Sequence, residues 1–334
     1  MSFHLVGKVD GTIDYDKLYE CCKCGLDESS DRALLWLVFS HVFSNRPEKW
    51  PTQYEEIVSS YLTLVETFKI CGYQDIPFQT AQFNQVFPVP EDGQAIMKAI
   101  HTDIVRTLHQ IQFIKDIDTT IPNDAPPMAP FHMHVARIER ILYIFSKMNT
   151  GHGYMQGFNE LACVIYYVMS SQLSEFENNY DHVEAFSYTF FQTLFGSTGL
   201  DELFNTTENS STIFSRLNCY SELLRKHLPI IHSSLIQLNI PPMVYCLNWI
   251  TLLFSQDYFI PDLVLIWDGL MAHFDDLLDY LNYLAVAQIS FLQDEIDPKN
   301  YVQTIKVLQG ACYRNVKLLL QEADRLWNLD HPSS

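Results

Sequence analysis

Apolar residues recur along this chain of 334 residues at three- and four-residue intervals, while the two-residue alternation of a half-buried strand is nearly absent. From Asp31 to Phe43 the spaced positions are Leu34, Leu35, Val38, Phe39 and Phe43. Ile57, Tyr61, Leu64 and Phe68 repeat the pattern, as do Ile138, Leu142, Phe145 and Met148. Side chains so spaced share one face of a helix and need a partner surface to cover them. Gly and Pro collect between these segments, at Pro88 to Gly93, Ile121 to Pro130, Gly151 to Gly157 and Pro241-Pro242. The pattern predicts an all-α fold.

With 48% apolar and 18% charged residues the chain can bury a large core, either as one domain or as two lobes. The acidic, Ser/Asn/Thr-rich stretch from Asp201 to Thr212 marks the expected boundary. The reading is a flexible N-terminus over 1–13, an N-terminal lobe over 14–200, a C-terminal lobe over 213–325 and a tail over 326–334. A net charge of −19 repels phosphate backbones and anionic lipid, which argues against nucleic acid as a partner. Screening confines such fields to about 8 Å, so one arginine in a cleft can still meet a phosphate. Cys163, Cys246 and Cys312 sit singly in apolar runs and read as reduced core thiols. The crowded Cys21-Cys22-Lys23-Cys24 has no second pair at zinc-site spacing, so no metal is expected. The N-terminus has no apolar stretch of signal-peptide length, and runs such as Leu161 to Met169 are too short to span a bilayer. A cytoplasmic location follows as an expectation.

Two short segments carry the chemistry. Read as one helix, Ile96 to Ile111 places Ile100, Ile104, Leu108 and Ile111 on an apolar stripe, with Asp103 and Arg106 three residues apart on the other side. Asp103 is then placed to restrain Arg106, although such pairs are most often surface ion pairs of little energy. Downstream, a helix from Met133 to Met148 runs out at Asn149, and Gly151, Gly153 and Gly157 make a permissive turn. A new helix follows with Leu161, Val164, Ile165 and Val168 on its buried side. Gln156 thus falls just ahead of a helix N-terminus, where backbone N–H groups favour an anion or an attacking water. The spacing G-x-G-x-x-x-G after a helix is no dinucleotide fingerprint, and G-x-x-x-x-G-K-[ST] does not occur. Nucleotide would have to arrive on another protein. His132 and His134 read as a solvated segment ahead of a helix, and Asp275, Asp276 and Asp279 as a solvated face.

Together the two segments resemble the TBC domain of Rab GTPase-activating proteins, marked by I-x-x-D-x-x-R and, downstream, Y-x-Q. Here these are Ile100, Asp103 and Arg106, then Tyr154 and Gln156. Glu139 to Asn149 is similar to the family's helix before the glutamine loop. Trp249 to Ser255, Ile260-Pro261-Asp262-Leu263 and Ile266-Trp267-Asp268 are similar to its C-terminal landmarks. The resemblance covers the chain from about Leu18 through about Leu320 and is strongest to the short, single-domain members. It implies a two-lobed, V-shaped all-α fold that engages the switch regions of a GTP-bound Rab.

By the same resemblance Arg106 is an arginine finger, Gln156 a glutamine finger that orients the attacking water, Asp103 the residue that holds Arg106, and Tyr154 the residue that sets the loop. The implied cofactors are none of the chain's own, because GTP and Mg²⁺ ride on the Rab. Contact with membranes is then indirect, at endomembranes in vesicle trafficking. The competing expectation is a non-catalytic effector or scaffold that binds GTP-Rab with the same fold. Phe87 and Phe131, beside polar loops, are candidate anchors for a switch region, and the loop Lys115 to Pro130 is a candidate seat of selectivity. Two departures stand out: Asn248 replaces the arginine common before Trp249, and Leu108-His109-Gln110 follows the arginine motif where a proline is often found.

Overall fold

The computed structural model describes residues 8–9, 11–26, 31–70, 89–204, 209–310 and 313–332. Its α-helices in chain order are α1 (Tyr15–Cys22), α2 (Arg32–Phe39), α3 (Trp50–Thr67), α4 (Gln94–Ile104), α5 (Leu108–Ile111), α6 (His132–Met148), α7 (Phe158–Ser171) and α8 (Tyr180–Thr198). They continue with α9 (Asn209–His227), α10 (Pro229–Gln237), α11 (Leu247–Thr251), α12 (Asp262–Ala272), α13 (Leu277–Leu292), α14 (Tyr301–Gln309) and α15 (Val316–Asp330). Among the described residues the strand content is one short antiparallel pair, Lys8–Val9 with Thr12–Ile13. No helix is long and apolar enough to cross a membrane among the described residues.

The helices fall into two compact units. One takes in residues 41–194; the other joins the described residues up to Ser40 to those from Phe195 onward. In the first unit α6 is the central element, buried from His134 through Ser146. A helix covered on all sides brings its polar residues inside with it, and these need partners. The Arg140 guanidinium grips the Glu184 carboxylate of α8 through both Nε and Nη2, the latter at 2.6 Å. Arg137 Nη1 donates to Glu184 Oε2 at 2.9 Å and to Asp181 Oδ1 at 2.7 Å, and Tyr61 of α3 donates to Glu184 Oε1 at 2.6 Å. Glu139 meets His101 of α4 at 2.6 Å. α4 and α8 are thereby fixed to α6, and α3 to α8 through Glu184. Where α4 begins, a Cβ on Gly93 would lie 1.9 Å from Tyr143 Oη, so only glycine permits this approach to α6.

In the second unit Asp268 of α12 plays the organising part. Its carboxylate, 1% exposed, accepts the Leu26 backbone N–H at 2.9 Å, Arg32 Nε at 3.0 Å and Trp36 Nε1 at 2.9 Å. Burial pushes its pKa up, and Arg32 is the strongest of the groups opposing that shift. The rings of Trp36 and Trp267 stack with centroids 5.7 Å apart beside this contact. Near the C-terminus, Tyr19 of α1 donates to Asp324 of α15 at 2.7 Å.

Several sequence expectations are corrected here. The division into units falls at 40/41 and 194/195, so α1 and α2 belong with the C-terminal part rather than with a lobe over 14–200. The cause is Asp268, which recruits partners from the N-terminal segment across more than two hundred residues of sequence. Lys8–Val9 and Thr12–Ile13, within the stretch expected to be flexible, form the strand pair, and Ile13 is buried. Residues 326–330, expected as tail, complete α15, with Leu326 buried and Asp330 bonded to Lys226, His227 and Tyr283. In α3 the buried stripe is Trp50, Tyr54, Tyr61 and Val65, displaced from the set Ile57, Tyr61, Leu64 and Phe68. Phe87 lies outside the described residues, whereas Phe131 is buried in the core.

Candidate functional site

Both chemistry-bearing segments lie in the unit of residues 41–194. The helix expected over Ile96 to Ile111 is interrupted. After Ile104 the backbone tightens, with Arg106 N–H donating to Asp103 O at 3.1 Å and Thr107 N–H to Ile104 O at 2.9 Å, and α5 then resumes at Leu108. Such i→i+3 bonds commonly close a helix end. Thr107 Oγ1 secures the turn by donating to Asp103 O at 2.9 Å. The apolar stripe survives because Ile100, Ile104 and Ile111 remain buried on either side of the break. Arg106, on the turn, is exposed. Its guanidinium makes no hydrogen bond or ion pair among the described residues.

The second segment starts where α6 ends at Asn149, whose side chain donates back to Phe145 O at 2.8 Å. Gly153 at φ +64° and Gly157 at φ +105° bend the chain into α7, and Gly157 is the residue that opens that helix. A φ of +105° lies outside the regions open to side chains with a Cβ. Gln156 therefore stands immediately before the N-terminus of α7, and it too is exposed.

Direct bonds join the two segments. Tyr154 Oη donates to Asp103 Oδ2 at 2.9 Å. Asn159 Nδ2 donates to Thr107 Oγ1 at 2.9 Å, while Asn159 Oδ1 accepts the Gly157 backbone N–H at 3.1 Å. His109 Nε2 and Glu160 Oε2 lie 3.1 Å apart. Burial, followed by the Asp103 carboxylate, raises the pKa of Tyr154, so its hydroxyl stays protonated and donates. For His109 the Glu160 carboxylate is the largest cause of a raised pKa.

The structure thus brings Asp103 to Tyr154, and makes no ion pair between Asp103 and Arg106 among the described residues. The phenol, largely enclosed, needs an acceptor, and the turn after Ile104 carries Arg106 out to solvent. Thr107, His109, Asn159 and Glu160 are site residues that motif reading did not single out. The signal was available in Asn159 and Glu160, two polar residues at the buried start of an apolar helix, because buried polar groups must find partners.

Other candidates resolve simply. His134 is buried, not solvated; it bonds the Tyr166 hydroxyl at 3.0 Å and the Asp116 backbone carbonyl. Through that carbonyl, and through Asp118 N–H donating to Pro130 O at 2.9 Å, the loop Lys115 to Pro130 is fixed at its base. Most of its tip is exposed. Asn248 is exposed and donates to Gln256 Oε1 at 3.1 Å.

Comparison with known proteins gives consistent results. The sequence model of the Rab-GTPase-TBC domain family matches residues 70–296, more than half of the chain. TBC1 domain family member 13 from Homo sapiens is 29% identical over 196 residues, which cover 58% of this chain and 48% of that protein. TBC1 domain family member 5 from Homo sapiens is 24% identical over 330 residues, covering 85% of this chain and 39% of that protein. The chain spans about half the length, or less, of these relatives. Among solved structures, the Ypt/Rab-GAP domain of Gyp1p superposes with a TM-score of 0.72 at 14% identity, covering 97% of this chain and 95% of that one. The Chlamydomonas flagellar RabGAP TBC domain gives 0.59 at 17% identity, covering 96% and 86%. These two likenesses bear on the fold, an all-α TBC architecture. On the match across residues 70–296, the chain belongs to the Rab-GTPase-TBC domain family.

Proposed function

We propose that this chain is a GTPase-activating protein for a Rab-family small GTPase, acting in trans on GTP and Mg²⁺ carried by that partner. Arg106 neutralises charge developing on the transferred phosphoryl oxygens, and Gln156 orients the attacking water. One observation carries the reading: Arg106 and Gln156 are both exposed, with no side-chain bond among the described residues, on two segments that side-chain bonds clamp together. Fixed backbone under free side chains is the arrangement that trans catalysis needs, because orientation is set before the partner arrives. Arginine suits the role, being always cationic and donating in a planar fork. Glu160 in the first turn of α7 offsets the positive helix end. Charge stabilisation therefore rests on Arg106. An arginine finger is worth roughly 10³–10⁵ in rate.

The exposed tip of the loop Lys115 to Pro130 is the proposed seat of Rab selectivity, and membranes are reached from the cytoplasm only through the Rab. Exchange of residues 119–128 for those of a relative is expected to change which Rab is accelerated; an unchanged ranking would remove the loop from that role. The function itself is tested by single-turnover GTP hydrolysis across a panel of purified Rabs, with GTP-dependent binding measured in parallel. Acceleration of one or a few Rabs is the expected result. Binding to GTP-loaded Rab without acceleration would make the protein an effector.

A further inference from the structure

The imidazole of His109 bridges the two finger segments. Its Nε2 lies 3.1 Å from Glu160 Oε2, in the first turn of the helix that Gln156 precedes. His109 itself stands three residues after Arg106, in the short helix α5 that the Arg106 turn opens into. Unlike the bonds from Tyr154 and Asn159, this link contains a group whose charge changes near neutral pH. His109 is 30% exposed in its side chain and Glu160 8%, so protons reach the imidazole while the carboxylate is largely shielded from water.

We infer that His109 is a positioning residue, holding the Arg106 turn against the start of α7, and that its protonation makes the alignment of the two fingers depend on pH. The inference rests on the function proposed above. The groups acting on the ring are the Glu160 carboxylate from α7 and the Arg106 backbone on its own turn; both favour the protonated form, and burial opposes it. The sign follows from that balance. Below its raised pKa the ring is cationic and the bridge is a charged pair. As pH climbs through that pKa the bridge becomes a neutral contact, and the finger spacing loosens. Charge-assisted hydrogen bonds are roughly twice as strong as neutral ones, so alignment is best on the acid side.

The test has two readouts. The first is the ¹H–¹³C NMR titration of the His109 ring in the whole chain and in Glu160→Gln. The variant is expected to lower the His109 pKa; an unmoved titration would overturn the bridge. The second is the single-turnover rate of a responsive Rab at saturating protein, divided by the Rab's intrinsic rate, from about pH 6 to about pH 9, the range that brackets an upshifted imidazole. Wild type is expected to lose about two- to fivefold on the alkaline side, the size of effect that a partly exposed ion pair supports. His109→Gln keeps a donor but cannot titrate, and is expected to give a flat profile with an unchanged half-saturating concentration of this protein. Parallel profiles in wild type and His109→Gln would overturn the positioning role while leaving the proposed function standing. Absence of acceleration at every pH would overturn both, and the NMR titration would then still report on the bridge alone.

Discussion

Asp257 is half-buried, and its two carboxylate oxygens have different fates. Oδ1 accepts the Trp249 indole N–H at 3.1 Å, whereas Oδ2 is enclosed and has no hydrogen-bond partner among the described residues. Burial pushes its pKa up from 3.8 to about 6, opposed by the Trp249 bond. Asn248, which replaces the arginine common in the family, points its amide to Gln256 and supplies no cation. The consequence for stability has a definite sign. At low pH both folded and unfolded chains hold the proton, and no penalty exists. As pH rises past 3.8 the unfolded chain releases it first, and above about 6 the folded chain bears the full cost of a poorly solvated charge. A shift of this size is worth about 1–3 kcal/mol. Asp257→Asn retains the acceptor for Trp249 and is expected to stabilise the protein by that amount at pH 7 and negligibly at pH 4, measured by denaturant midpoints. Equal stabilisation at both pH values, or destabilisation at pH 7, would contradict this. At this scale the sequence is hardest to read: the departure at Asn248 is visible in it, but which carboxylate loses a partner is a fact of packing.

Between residues, the turns decide more than the helices they join. The stripe Ile100, Ile104, Leu108 and Ile111 continues in phase across the break after Ile104, so periodicity alone reads one helix. What ends it is Thr107, held by Asn159 from fifty-two positions away, a contact that no local window contains. The glutamine loop was more legible, because glycines punctuate it and the apolar run that follows announces α7. The fold class, and the placing of Arg106 and Gln156 on two separate segments, could thus be read from pattern and motif, whereas the clamp between those segments, and the engagement of Asp103 with Tyr154 in place of Arg106, could not. Gly157 tests the loop. Alanine at φ +105° carries backbone strain, so Gly157→Ala is expected to cost about 1–3 kcal/mol in stability. The stimulated rate should fall by more than Gln156→Ala alone produces, since the start of α7 that bears Asn159 and Glu160 must shift as well. Unchanged stability in equilibrium unfolding would show that the turn relaxes freely.

On the scale of the whole chain, composition and periodicity announce an all-α protein with a large core, but they do not reveal that α1 and α2, ahead of Ser40, complete the C-terminal unit. Nothing local marks Asp268 as the residue that captures Leu26, Arg32 and Trp36. Removal of residues 1–40 would strip this carboxylate of its three partners and uncover Trp267. An isolated buried charge left behind in this way costs about 3–5 kcal/mol. The truncated chain is therefore expected to lose the cooperative thermal unfolding of its C-terminal unit; retention of the full-length transition would show that the N-terminal segment is dispensable. The unit of residues 41–194 carries both exposed side chains, Arg106 and Gln156, on its own, which is why the functional proposal turns on them. The measurement to make is the single-turnover rate of GTP hydrolysis by a responsive Rab at saturating protein, for wild type, Arg106→Ala and Gln156→Ala. Losses of about 10³-fold or more for Arg106→Ala, with a substantial loss for Gln156→Ala and binding retained in both, are expected. Rates equal to wild type in either variant would contradict the dual-finger mechanism.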